Sequence, residues 1–166
     1  MSKSNVKPAQ GKLGVMVVGL GAVTSTFMTG VLMARKGLAK PVGSMTQYDK
    51  IRVSDGKETK YLKYNEIVPI ASLNDIVFGA WDVYPANAYE SAINAEVLKE
   101  KDINPVKDEL EAIKPLKAAF DHNYAKRLDG SNIMVGKTRW EMVEQLREDI
   151  RNFKKENGVD RVVVLW

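Results

Sequence analysis

L-G-V-M-V-V-G-L-G-A-V-T-S-T-F-M-T-G, running from Leu13 to Gly30, decides how this chain folds. A short apolar run breaks at Gly19-Leu20-Gly21 and resumes with hydroxyl residues at helical spacing. Val15 to Val18 is β-branched and apolar enough for a strand buried on both faces, as in a parallel sheet. Gly19 and Gly21 let the backbone turn sharply and approach a ligand with no Cβ in the way. Val23, Phe27, Val31 and Ala34 then recur at four- and three-residue intervals, which predicts a helix from Ala22 onward. The first amides of such a helix lack intrahelical partners and sit at the positive end of its dipole, so a phosphate or pyrophosphate is their natural guest. A tight turn with no ligand stays open as the other reading, because Thr24 replaces the third glycine of G-x-G-x-x-G.

Working outward, residues 1–12 are polar, carry Pro8 and Gly11, and read as a flexible leader. Leu38 to Tyr64 reads as a hairpin-like or irregular excursion, with its turn at Asp55-Gly56. Ile76 to Trp81 is a second buried strand, which places Asp82 at a strand's carboxyl end, where open α/β sheets bind ligands. No Asp or Glu lies between Leu20 and Tyr48 to hold a ribose; an acid at position 82 could hold ribose hydroxyls from a different strand than the usual one. Position alone leaves it equally open as a cap or turn residue before Pro85. Asn87 to Lys101 and Val106 to Phe120 have helical character, the latter interrupted at Pro115. Gly130-Ser131-Asn132 marks a loop, Trp140 to Asn157 an amphipathic helix stopped by Gly158, and Arg161 to Trp166 a last buried-type strand. A strand so apolar belongs inside a sheet, which leads to the expectation that this is the front portion of a larger protein.

Composition narrows the field. The chain has 166 residues, 45% of them hydrophobic, enough for one good core. Lys+Arg 25 against Asp+Glu 21 leaves a net charge of +4 with the signs interspersed, so no stripe for nucleic acid and no polybasic membrane anchor is expected. Absence of cysteine excludes disulfides, thiol nucleophiles and thiolate metal sites within these residues. Leu13 to Ala34 carries no charge, but Gly14, Gly19, Gly21, Gly30 and the Thr24-Ser25-Thr26 cluster argue against a membrane span or signal peptide. His122, the single histidine, reads as a loop or helix-surface residue, and Lys137 and Arg139 as a solvated helix start. No catalytic grouping and no metal site is expected in this segment.

Three stretches together point further. G-L-G-A-V-T-S-T from Gly19, V-F-G-A-W-D-V-Y-P-A-N-A-Y from Val77, and D-I-R-N-F-K-K-E-N-G-V-D-R-V-V-V-L-W from Asp149 resemble the myo-inositol-1-phosphate synthases in order and spacing. The resemblance runs from about Leu13 to Trp166 and covers the first part of the family's longer chain. It implies an α/β fold: residues 13–166 would form the N-terminal part of a Rossmann-like NAD-binding domain with a parallel sheet, incomplete here. The catalytic and tetramer-forming domain, with its lysines, would lie beyond residue 166. It also implies that Gly19, Gly21, Ala22, Val23 and Thr24 form the phosphate-cradling turn and that Asp82 contacts the adenine ribose. Many members carry Gly and Asn where this chain has Ala22, Val23 and Thr24, so backbone contacts to the pyrophosphate are favoured over side-chain ones. Members often have Asn-Gln-Gly-Ser-Arg where Leu128 to Asn132 stand, so no cofactor role is carried onto Asp129 or Asn132.

The activity implied is isomerisation of glucose 6-phosphate to 1D-myo-inositol 3-phosphate: oxidation at C5, enolisation toward C6, aldol closure onto C1 and re-reduction, by a cytoplasmic homotetramer with bound NAD. A non-catalytic nucleotide-binding or assembly module, and an ordinary NAD-dependent sugar-phosphate dehydrogenase, are the alternatives.

Overall fold

The structure, a computed structural model, describes residues 10–48, 50–54 and 56–166. Its centre is β1 (Lys12–Val18), buried along most of its length and paired in parallel on both sides. β1 opens at Lys12, one residue inside the span expected as leader, while residues 1–9 lie outside those described. A tight turn leads into α1 (Ala22–Arg35), starting where the apolar spacing predicts. The excursion comes next: a single helical turn α2 (Met45–Tyr48), then an antiparallel hairpin of β2 (Lys50–Ser54) and β3 (Thr59–Lys63). The expected turn at Asp55-Gly56 falls partly on Asp55, outside the described residues.

The chain returns through β4 (Ile76–Asp82), parallel to β1 with Val18 opposite Trp81. Three short helices, α3 (Ala88–Asn94), α4 (Glu100–Ile103) and α5 (Lys107–Glu111), precede β5 (Leu116–Lys117). α6 (Arg139–Glu156) and β6 (Val159–Leu165) complete the described chain. The sheet order is β5-β4-β1-β6, every neighbour parallel.

Two of the expected elements differ. Val106 to Phe120 is not one interrupted helix, because Leu116–Lys117 pairs with Trp81 and Asp82 as a strand and Ala118 bridges to Ile133. The helix expected over Asn87 to Lys101 stops at Asn94, and Glu96 takes a left-handed φ of +53° before α4 begins. The last strand, expected inside the sheet, is its edge among the described residues.

Alternation along the strands sorts the core into two layers. Val15, Val17, Phe78 and Ala80 pack with Met28, Val31 and Leu32 of α1 on one face. Met16, Trp81, Val159 and Phe153 of α6 pack on the other. The Phe153 ring fills a notch that two glycines leave on neighbouring strands: a Cβ at Gly14 would lie 2.7 Å from it, and one at Gly79 2.8 Å. Arg35 fastens the far end, donating from Nε to the Leu73 carbonyl at 2.6 Å and from Nη2 to that of Ile76, with its guanidinium over the Phe78 ring.

Candidate cofactor-binding site

Trp81 turns its side chain toward α6, so pleating sends the next residue, Asp82, to the α1 side at the carboxyl end of β4. There it meets the glycine corner. One carboxylate oxygen accepts the Leu20 N–H, and the other accepts the Tyr84 N–H at 2.8 Å. The Gly19 N–H donates to the Trp81 carbonyl at 2.8 Å, so the two strand ends are laced together by backbone and side chain.

Gly19 sits at φ +94°, a region that penalises any side chain, and its glycine is required by the turn itself. Gly21 is different. As N-cap of α1 it has an ordinary φ of −89°, and a Cβ built on it would meet nothing within 4 Å. Neither backbone nor packing demands glycine there; what the missing side chain preserves is open space over the helix start. α1 has no side-chain cap and no acid in its first turn, and its first return bond is from Ser25 N–H to the Gly21 carbonyl at 2.9 Å. The amides of Ala22, Val23 and Thr24 therefore have no backbone partner among the described residues.

Of the site residues expected from sequence, Gly19, Gly21, Ala22 and Asp82 line one cavity, which Val23 and Thr24 do not line, and their tasks differ. Gly19 shapes the turn, and Gly21 keeps it bare. Ala22 and Val23 offer amides, the Val23 side chain being 86% exposed. Thr24 is buried, and its hydroxyl donates to the Gly19 carbonyl at 2.7 Å, so it locks the corner. Asp82 ties the corner to β4, and each carboxylate oxygen keeps a lone pair for a further donor.

A cavity of about 560 Å³ opens over this corner. Gly21, Ala22, Asp82, Phe120, Leu128 and, from α3, Ser91 and Asn94 are among the residues that line it. Its walls are mainly apolar with a few polar groups, which is how small-molecule sites are built. Sequence reading missed Ser91, Asn94, Phe120 and Leu128, since only the fold carries them to Asp82. It also gave Asn132 no cofactor role; the structure gives it a bracing one. Its Nδ2 donates to the carbonyls of Asp82 at 2.9 Å and Leu116 at 3.1 Å, and its N–H to that of Val83 at 2.8 Å. Gly130 lies against the Val83 carbonyl so closely that a Cβ would overlap it. That glycine was the one local signal of the close approach.

His122 sits on the exposed loop, edge-to-face with Phe120. Arg139 pairs at 2.8 Å with Asp121, whose carboxyl it holds below the usual range, and Lys137 donates to Gln145, as a solvated helix start would. Among the described residues no group of three or more His, Cys, Asp or Glu could hold a metal, and no helix is long and apolar enough to cross a membrane.

A family profile described as myo-inositol-1-phosphate synthase, and named for NAD binding, matches residues 13–166. The chain belongs to the myo-inositol-1-phosphate synthase family. It is 62% identical over 165 residues to an inositol-3-phosphate synthase 1 of Bacteroides thetaiotaomicron, covering 99% of this chain and 38% of that protein. An inositol-3-phosphate synthase 1 of Oryza sativa subsp. japonica is 37% identical over 93% of this chain and 33% of its own length. The crystal structure of the inositol-3-phosphate synthase of Caenorhabditis elegans superposes with a TM-score of 0.80 at 28% identity, over 96% of this chain and 34% of that one. The chain thus spans about a third to two fifths of the synthases it matches. The resemblance read from the three motifs, the α/β fold and the NAD cofactor all agree with these findings.

Proposed function

We propose that this chain grips the adenosine and pyrophosphate of NAD in a synthase that converts glucose 6-phosphate to 1D-myo-inositol 3-phosphate. The observation that supports the reading most is the bond between Leu20 N–H and Asp82, which sets an acid beside a bare glycine corner. The residues present fit the cofactor: the space left by Gly21 would admit a pyrophosphate to the amides at the start of α1, and Asp82 would hold the ribose hydroxyls.

NAD held by Asp82 and the glycine corner would supply reversible hydride transfer at C5 of the sugar, the chemistry that would make the neighbouring C6 proton acidic. This chain's residues bind and orient. Thr24 and Asn132 hold the corner and the end of β4 in place before the cofactor arrives, and the apolar walls keep water from the bound nucleotide. The cations that would stabilise developing oxyanions belong, on this reading, to chain beyond residue 166, and the active form is a cytoplasmic homotetramer.

Titration of the whole protein with NAD tests the binding reading, and turnover tests the reaction. Inositol phosphate should form from glucose 6-phosphate with no net NADH; accumulating NADH would indicate a dehydrogenase, and no NAD binding at millimolar concentration would end the reading. Asp82→Ala and Gly21→Val should each weaken NAD binding at least tenfold, about 1.4 kcal/mol. Gly21→Val should leave the unliganded melting temperature nearly unchanged, because its side chain enters open space.

A further inference from the structure

The strand order fixes which half of a dinucleotide this cavity takes. β4 and β5 lie on one side of β1 and β6 on the other, so the order reverses beside β1, and a dinucleotide crosses there with one nucleotide on each side. The cavity runs from the end of β1 over the end of β4 to the residues after β5, the side of β1 that carries the acid. It is therefore the adenosine side.

Within that cavity the polar side chains differ in how they are engaged. Both Asp82 oxygens already accept backbone amides. Ser91 and Asn94 stand one turn apart on α3, line the same cavity, and make no side-chain hydrogen bond among the described residues. The neighbouring polar groups of α3 are engaged elsewhere: Asn87 and Glu90 cap the helix reciprocally, and Tyr89 donates to Asn104 at 3.0 Å. Ser91 is half-buried and Asn94 exposed where they line the cavity. Phe120 and Leu128 line the same cavity and supply apolar surface for a flat base.

We propose that Ser91 and Asn94 are specificity-determining residues that contact the adenosine end of the bound nucleotide. The proposal rests on the NAD reading above and adds to it the residues that read the nucleotide beyond the ribose acid. A hydroxyl and a carboxamide together offer donors and acceptors, as an adenosine requires, and neither needs to surrender an existing bond to bind it.

Calorimetric titration of the whole protein with NAD, AMP and nicotinamide mononucleotide tests this. Ser91→Ala/Asn94→Ala should weaken NAD and AMP in parallel by about tenfold, the loss expected for one or two hydrogen bonds. Binding of nicotinamide mononucleotide and the unliganded melting temperature should not move, and Ser91→Thr should recover part of the loss. Unchanged NAD and AMP affinity in the double variant overturns the proposal while leaving the cofactor reading intact. A loss confined to nicotinamide mononucleotide overturns it too, by placing the residues at the wrong end. Failure of the unmodified protein to bind either NAD or AMP removes both the proposal and the reading beneath it.

Discussion

β4 and β6 flank β1 symmetrically, both parallel to it, yet they end differently. β4 is sandwiched between α1 and α6, has β5 beyond it, and finishes in a laced corner with a cavity above. β6 is at least as apolar, but Val163, Val164 and Leu165 are 42–44% exposed, and its outer edge has no partner among the described residues. An apolar strand sequence therefore specifies what a strand tolerates, while its neighbours decide what it buries. The cavity formed where neighbours exist on both sides.

That contrast can be broken first at Phe153. Phe153→Ala removes the ring from the Gly14–Gly79 notch and should cost about 3–5 kcal/mol in a denaturant titration. A loss below about 1 kcal/mol would mean the two central strands are not held this way. Asn132→Ala comes next. Leaving the Asp82 and Leu116 carbonyls without their donor should cost about 1–3 kcal/mol and loosen NAD binding severalfold through Asp82, read by melting and by titration. At the β6 edge, Val164→Thr should stay within about 0.5 kcal/mol, the usual surface range, and a large loss would show the edge to be covered in the working protein.

The smallest effect concerns pH. Glu141 accepts from the N–H and hydroxyl of Thr138, which holds its carboxyl below the usual range. A depressed folded-state value means this contribution to α6 is present above the ordinary carboxylate range and lost as pH falls through the lower value. Thr138→Ala should therefore destabilise α6 at neutral pH and less so near pH 3, well below about 4.3 for a free glutamate. Amide exchange in the first turn of α6 reads this directly.

The parts of the fold legible in sequence are those whose cause is local. Val15 to Thr24 carries its own strand, turn and helix signals, and Asp82 ends a β-rich run that had to finish near a ligand edge. β5 was hidden because it has only two residues and owes its extension to pairing with Trp81 and Asp82. Its alternating apolar surroundings look equally helical, and Pro115 explains a break without specifying the conformation of the residues after it. The bracing role of Asn132 was hidden for a similar reason. Its partner Asp82 is 50 residues away, and a motif comparison sees the missing arginine but not the brace that stands in its place.

Residue 21 carries a last consequence. Because its hydrogen could be exchanged for a bulky group without disturbing the apoprotein, selection for expression or solubility is blind to it. On the proposed cofactor reading, only a screen that reports on nucleotide occupancy would notice the change. Relatives that have kept the scaffold but lost the coenzyme could therefore be recognised by a branched residue at this one position, with every other mark of the family intact.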